Sequence, residues 1–492
     1  MDKHKLLLRL LFLIMSVNFG TFSQAEQSSS TLISTGNNTQ LLHSQQVVTE
    51  IQLPVHWQQH WLDEPIFNNK IHVVETGNMS GATLLLVHGL GYRGLLDWLN
   101  VIPELESEYH IITLDLPGFG QSDSTDLQLA PLKYAALLAW LVPQFSQQSV
   151  TIIGHSMGGA ISLRFAASHP SLVNKLIMVD TAGVLQRSVF VLHMTQVPNH
   201  YKWLEPYSSK FKPLENVVSH VSNFINRWRI SLISSIDRYP DPAKILMGNE
   251  FAQQFFYKDR ATLNAALGLV YEDLSSSIEQ LNVPSHIIWG RNDRVAPLRT
   301  GKLLAQQLKN AQLHIIDDAG HVPMQDQTEE FVTILKEVLT QAPIKHNIMP
   351  LTTDALQNYT CNNQKEVELS GVYDNISFTN CRYINVRNVQ ANSINIIDSI
   401  MNIEDSSFNS IATALTSTRS RVTMTNVNLT GEIAMQVDDS LIDSAGVVFR
   451  GGQQAIKLES KSQLYFSVSS QINNGQKSHL HGMSMGRTLD LE

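Results

Sequence analysis

The run Ile152-Ile153-Gly154-His155-Ser156-Met157-Gly158-Gly159 carries the strongest chemical signal in the chain. A serine stands between glycines, directly after an apolar, β-branched stretch and directly before a helix-forming stretch from Ala160 to Ala167. Gly-x-Ser-x-Gly at a strand-to-helix turn forces the serine into a strained backbone, and the small flanking residues let strand and helix approach without clashing. Ser156 Oγ is then presented at the carboxyl edge of a sheet and at the positive end of a helix. A serine hydroxyl is a poor nucleophile unless a base removes its proton as it attacks. The base in turn needs an acid that fixes its tautomer and stabilises its charged form.

Such a turn requires a sheet to hold it. From about residue 51 to 342 the chain alternates short apolar runs with longer amphipathic stretches. Thr83–Val87, Ile111–Leu114, Val150–Ile153, Leu176–Val179, His286–Trp289 and Leu313–Ile316 read as buried strands. Continuous apolar strands separated by helical stretches indicate a mostly parallel sheet with helices on both faces. The alternation is interrupted between about 186 and 270. This stretch is helix-like and rich in aromatics, Phe190, Trp203, Tyr207, Phe224, Trp228 and Phe255 among them. It reads as a cap over the carboxyl edge of the sheet, with some of the aromatics forming the cap's own core.

With the elbow in this setting, residues 51–342 resemble the α/β-hydrolase superfamily, in its capped esterase- and lipase-like branch, with the motifs in the family's order. The resemblance implies an α/β-hydrolase fold and assigns further roles. His321, in Asp317-Asp318-Ala319-Gly320-His321-Val322-Pro323, matches the family's final loop and becomes the general base and then general acid. Asp293, in Gly290-Arg291-Asn292-Asp293, matches its acid loop. Asp180, at the end of the strand closing on Val179, is the rival acid, because some members place theirs there. Asp317 and Asp318 are read as shaping the histidine loop. His88-Gly89-Leu90-Gly91 stands where the family's oxyanion loop does, so the backbone N–H groups of Leu90 and Met157 are the candidate oxyanion hole. Asp115 to Asp123 resembles the segment after the next strand and reads as a structural turn beneath the site.

Composition sets the bounds. The 492 residues exceed one ordinary compact core, so two or three units are expected. Hydrophobic residues at 43% and charged residues at 16% describe an ordinary globular chain. A net charge of −9 opposes nucleic acid as a partner, since no basic field exists to replace phosphate counterions. No metal or cofactor is expected: the 18 histidines are scattered, and no Gly-rich dinucleotide or phosphate loop occurs.

The amino terminus reads as an export signal over residues 1–25. Lys3, Lys5 and Arg9 precede a short apolar run, Leu10 to Gly20, and Ser23-Gln24-Ala25 supplies small residues for cleavage after Ala25. A retained membrane anchor is the alternative. Residues 26–50, polar and aperiodic, read as a flexible leader, and the chain as a whole as periplasmic or secreted. Past a linker at 343–351, residues 352–482 change character. Short alternating pieces such as Ile394-Asn395-Ile396, Val422-Thr423-Met424 and Leu464-Tyr465-Phe466 recur between Asn, Asp, Ser and Gly turns, with few helical patterns. These suit a right-handed parallel β-helix, and a β-sandwich is the alternative. Residues 483–492 read as a tail. Cys361 and Cys381, the two cysteines, are a disulfide candidate in an exported protein, or two buried thiols. Five Asn-x-Ser/Thr sequons in so Asn-rich a chain decide nothing.

The expected reaction is acyl transfer to serine and then to water. Within the resembled superfamily, dehalogenases and epoxide hydrolases carry Asp where Ser156 stands, which removes them. An aromatic-rich cap favours esters of apolar acyl or aromatic groups, hence a carboxylesterase or lipase acting on small-molecule or lipid esters. A hydrolase of carbon–carbon bonds is the enzymatic alternative. A cell-envelope or glycan-binding protein with secondary hydrolysis is the non-enzymatic one, its ligand held by the C-terminal domain.

Overall fold

A computed structural model describes residues 53–91, 93–123, 128–185, 260–344, 357–452, 454–460 and 462–485. The signal at 1–25, the leader at 26–50 and residues 186–259 of the expected cap lie outside the described residues, as does most of the linker.

Eight strands form the first sheet: β1 (Gln58–Glu64), β2 (Asn69–Gly77), β3 (Thr83–Val87), β4 (His110–Leu114), β5 (Val150–His155), β6 (Val173–Val179), β7 (Ser285–Gly290) and β8 (Ala311–Ile316). Their spatial order is β1-β2-β4-β3-β5-β6-β7-β8. The pairs β1–β2 and β2–β4 are antiparallel and all later pairs are parallel. Successive side chains of a strand face opposite ways. Leu85, Val87, Ile112, Ile152 and Met178 accordingly join the core on one face, and Leu84, Leu86, Ile111, Ile153 and Ile177 the core on the other. This two-sided burial is why the central strands read as unbroken apolar runs. The sequence reading did not include β1 and β2: β1, on a sheet edge, alternates exposed Gln59, Trp61 and Asp63 with half-buried His60 and Leu62, so its apolar signal is thin.

The helices among the described residues are α1 (Pro131–Phe145), α2 (Met157–Ser168), α3 (Arg260–Tyr271), α4 (Ser275–Gln280), α5 (Leu298–Gln307), α6 (Pro323–Asp326) and α7 (Thr328–Thr340). Proline opens α1, where its missing N–H costs nothing. Glu329 and Glu330 stand in the first turn of α7, favourably placed against the helix dipole. Ala261, Ala265 and Leu269, four residues apart, bury one face of α3 against the first core. This helix is the described remainder of the stretch read as a cap.

The second unit runs from β9 (Gln357–Asn362) to β23 (Gln476–Met485). It is a stack of coils, each built from three short strands. β12 (Ser393–Ile397), β15 (Thr413–Thr418), β18 (Ile433–Asp438) and β21 (Ile456–Glu459) pair in parallel down one side. β13 (Ile400–Glu404), β16 (Arg421–Thr425), β19 (Leu441–Ala445) and β22 (Gln463–Asn473) do so down a second. β14 (Ser407–Asn409), β17 (Asn428–Thr430) and β20 (Val448–Gly451) line the third. β10 (Glu368–Thr379) and β11 (Arg382–Ala391) begin the stack, which is a parallel β-helix-like domain. Ile394, Leu415, Met435 and Ile456 stand in register, so successive coils are 20 or 21 residues long. Inside, Phe408, Leu429 and Phe449 stack in one row and Val422, Ile442 and Leu464 in another.

The coil corners explain the polar turn residues. Asp398, Arg419 and Asp439 take positive φ, where short polar side chains are tolerated best. The serine after each points inward: Ser399 N donates to Ser420 Oγ, and Ser420 N to Ser440 Oγ, both at 3.0 Å. One coil's backbone is thus satisfied by the next coil's side chain. Cys361 and Cys381, separated by 20 positions, are joined in a disulfide at the start of the stack. One boundary differs from expectation. β23 continues to Met485 because Met483, Ser484 and Met485 pair antiparallel with Tyr465, Leu464 and Gln463, so the first three residues read as tail belong to the sheet.

Candidate active site

The site assembles at the carboxyl ends of β3, β5, β6, β7 and β8. β5 ends at His155, and α2 starts at Met157, leaving Ser156 alone to make the turn with φ 52° and ψ −115°. That strained conformation is enforced from both sides. Ser156 N donates to Val179 O at 2.9 Å, while Ser156 O accepts from Gly159 N at 3.0 Å and from Ala182 N at 3.2 Å. The glycines are steric necessities. A Cβ at Gly154 would stand 2.3 Å from Gly158 O, and one at Gly158 would stand 2.3 Å from Val87 O.

His321 reaches the serine from the loop between β8 and α6. Ser156 Oγ lies 2.9 Å from His321 Nε2, and His321 Nδ1 lies 2.8 Å from Asp293 Oδ2. With Nδ1–H donating to the carboxylate, Nε2 is left to accept the serine proton. The other oxygen of Asp293 accepts from Val295 N at 2.7 Å and Ala296 N at 2.9 Å, which fixes the carboxylate plane. Burial pushes the Asp293 pKa up. The charge and hydrogen bond of His321, with hydrogen bonds from Asp180 and Ala296, outweigh that and hold it below the ordinary carboxylate range.

The structure therefore brings together Ser156, His321 and Asp293, and it gives Asp180 a different position. Asp180 is fully buried with φ 42°, and its Oδ1 accepts from Gly290 N at 3.0 Å. Burial first, then the neighbouring Asp293 charge, raise its pKa well above the usual value. Asp180 is thus a buried neighbour of the acid whose charged form is disfavoured, and no hydrogen bond joins it to His321. Asp180, Asp293 and His321 each offer one ligand atom within 4.8 Å of the others, a spacing a cation could use. Two of those groups, however, already face each other as donor and acceptor.

The candidate oxyanion loop lies against the nucleophile. A Cβ at Gly89 would come 3.1 Å from Ser156 Cβ, so Leu90 follows directly beside the elbow. Among the described residues, neither Leu90 N–H nor Met157 N–H has an acceptor, so both donors are unspent. His88 sets this loop: it is wholly buried, its Nδ1 lies 2.6 Å from Gly89 O, and its Nε2 accepts from Leu116 N at 2.9 Å. Those two bonds require the neutral, Nδ1-protonated tautomer.

Other positioning residues were not read from the sequence. His155 Nε2 donates to His321 O at 2.8 Å, tying the elbow to the histidine loop. Its Nδ1 faces Asp97 at 3.8 Å. Burial raises the Asp97 pKa, but His155, His88 and Arg93 together bring it below the ordinary value. Asp326 Oδ2 accepts from Gly320 N at 2.8 Å, so Asp326 holds the histidine loop, whereas exposed Asp317 pairs with Arg291. Asp115, read as structural, accepts from Leu95 N, Gln121 N and His72 Nδ1 and so ties its turn to β2 and to the loop after β3. His155, as the variable residue of Gly-x-Ser-x-Gly, was the one of these with a sequence cue.

A strained serine in line with an imidazole and a buried carboxylate, and two backbone donors beside it, are the groups that acyl transfer through a serine would need. The family model for the alpha/beta hydrolase fold matches residues 82–327, half of the chain, and the chain belongs to that family. It is an enzyme of the α/β-hydrolase type. An uncharacterized hydrolase, YugF, of Bacillus subtilis (strain 168) is 28% identical over 258 residues, covering 51% of this chain and 88% of its own. Lipase 1 of Psychrobacter immobilis is 28% identical over 265 residues, 53% of this chain and 78% of its own. The 2-hydroxy-6-oxononadienedioate/2-hydroxy-6-oxononatrienedioate hydrolase 1 of Pseudomonas putida is 27% identical over 271 residues, 52% and 88% of the two chains.

Proposed function

We propose that this enzyme is a serine esterase that hydrolyses carboxylic esters of apolar acyl or aromatic groups outside the cytoplasm. The observation that carries the reading is the continuous line Ser156 Oγ–His321–Asp293 at 2.9 and 2.8 Å. His321 takes the serine proton as Oγ attacks the ester carbonyl, forming a tetrahedral adduct whose oxyanion is met by Leu90 and Met157 N–H. His321 then returns the proton to the leaving alcohol, giving an acyl-serine. Water, deprotonated by the same imidazole, releases the acid and restores Ser156. Losing one oxyanion donor in such a site costs about 3–4 kcal/mol of barrier.

The preference for apolar esters rests on the aromatic content of the stretch from 186 to 270. Resemblance to a lipase supports it. Carbon–carbon hydrolysis is the second reading, supported by the Pseudomonas putida relative. Export rests on the basic-then-apolar amino terminus, and a disulfide suits an oxidising compartment. The test is hydrolysis of p-nitrophenyl esters from acetate to palmitate by residues 26–492 and by Ser156→Ala. Turnover that vanishes in the variant supports the esterase, and the preferred chain length separates esterase from lipase. A folded protein inactive on every ester overturns it in favour of carbon–carbon cleavage. Amino-terminal sequencing of periplasmic or secreted protein should begin at Glu26; an intact amino terminus there contradicts the cleavage site.

A further inference from the structure

We infer that the C-terminal coil stack is part of the catalytic unit, acting as a brace that positions the Asp293 loop through Arg299. The inference rests on the serine-hydrolase reading above. α5 begins four residues after Asp293's loop reaches Arg294 and is its continuation: Pro297 caps the helix and Ala296 N binds Asp293 Oδ1. The same loop is pinned from inside by Trp289, whose Nε1 donates to Ala296 O at 2.9 Å. Gly301 of α5 packs so closely on that indole that a Cβ there would stand 2.9 Å from it. Where α5 sits, Asp293 sits.

The inner face of α5, with Thr300, Gly301, Leu303 and Leu304, is buried against the sheet. Its outer face is held by the coil stack. Arg299 Nη1 lies 2.5 Å from Asp443 Oδ2, and Nη2 lies 3.2 Å from Oδ1 and 2.7 Å from Met424 O. Nε donates to Thr425 Oγ1 at 2.7 Å, so the guanidinium is bound on all its edges. Both side chains are less than one-fifth exposed. Lys302 pairs with Glu404 at 3.1 Å, and Gln307 Nε2 donates to Asn426 Oδ1 at 3.1 Å. Gly446, at φ 66°, passes so near Leu303 that a Cβ would come within 2.5 Å of it.

A second hold lies just before β7 in the chain. α4, which leads into that strand, carries Glu279, paired with Lys477 at 2.6 Å and His479 at 2.8 Å on β23. Ala445 and Tyr465 of the stack join the hydrolase core itself. Both helices flanking in sequence the strand that delivers Asp293 are therefore held by the coil stack. A targeting module on a tether would need none of these contacts. A bound geometry loosened by about 1 Å can cost about 100-fold in rate.

The test uses the full mature chain, with Arg299→Met and Asp443→Asn compared against wild type and against Arg419→Met, which breaks an exposed arginine–aspartate pair elsewhere on the stack. Steady-state turnover of p-nitrophenyl butyrate is measured across pH, with circular dichroism and hydrogen exchange of peptides spanning 289–297. The expected result is at least a tenfold fall in kcat with KM little changed, in both brace variants and not in Arg419→Met. A looser carboxylate supports the imidazolium less, so the acid limb of the kcat profile should move to lower pH, and exchange at 289–297 should quicken. If Arg299→Met fails to fold, Asp443→Asn, which retains an acceptor, decides the matter. Folded variants with unchanged kcat and pH profile overturn the brace alone. A wild type without ester turnover overturns the esterase reading and the brace with it.

Discussion

Asp180 and Asp293 are two buried carboxylates side by side with opposite assignments, and substituting each by its amide separates them. Asp293 accepts a hydrogen bond from His321 Nδ1–H, whereas Asp180 accepts Gly290 N–H and lies beside Asp293. Asn at 293 puts an amide where an anion must support the imidazolium, and kcat on a p-nitrophenyl ester should fall by roughly 10³–10⁴-fold. Asn at 180 has the shape of a protonated Asp, accepts Gly290 N–H with its oxygen and can donate to Asp293 with its amide, so kcat should stay within about threefold, the size of a preserved neutral hydrogen bond. Stability should move the other way. Asp180 has a raised pKa in the folded state, so its contribution is fully present below the unfolded value near 3.8 and is lost as pH rises through the folded value. The amide carries no such cost. Asp180→Asn should therefore melt higher than wild type at pH 7–8, by about 2–4 °C for each kcal/mol relieved, with the gain shrinking toward pH 4. Equal loss of activity in both variants, or loss confined to Asp180→Asn, would refute the assignment.

Three further outcomes follow from single features. Gly158→Ala drives a methyl into Val87 O, at 2.3 Å, so the elbow must shift and ester turnover should drop at least 100-fold while the fold persists; full activity would show that the turn is not sterically fixed. Reducing the Cys361–Cys381 bond, or replacing both residues by Ser, releases a 20-residue span, and the coil stack should lose about 3 kcal/mol in denaturant titration; an unchanged midpoint contradicts a structural disulfide. His286 is buried beside His314 and Lys175, and burial lowers its pKa to about 4, helped by the charges of those two neighbours. Its neutral form stabilises the fold above about pH 6.5, and that contribution is lost as pH falls from 6.5 through 4. His286→Gln should flatten acid destabilisation across that window; an unchanged acid-unfolding curve would count against it.

The chemistry was legible where it is local. Ser156 is announced by glycines, of which Gly154 must be small because Gly158 O, four residues on, passes beside it. The parallel strands were legible because burial on both faces writes apolar residues at every position. β1, on the edge, lacks that record. His88 and Asp97 were not readable as positioning residues, since Leu116 N–H and the His155 ring come near them only when the sheet closes, and Asp326 carries no cue that it will accept Gly320 N–H. Arg299 and Asp443 are 144 positions apart, and nothing in either neighbourhood signals the other. The coil repeat was partly written in the sequence: Asp398-Ser399, Arg419-Ser420 and Asp439-Ser440 mark one corner per coil. It was blurred because that corner accepts Asp or Arg and because the third strand of each coil is three or four residues long.

The proposed reaction turns on Ser156 as its nucleophile. Incubating residues 26–492 with diethyl p-nitrophenyl phosphate, counting the p-nitrophenolate released and mapping the modified peptide by mass tests it most directly. One equivalent released, a diethylphosphoryl group on Ser156, and no reaction in His321→Ala are the results expected here. Modification at another residue, or none in a folded protein, would contradict the account.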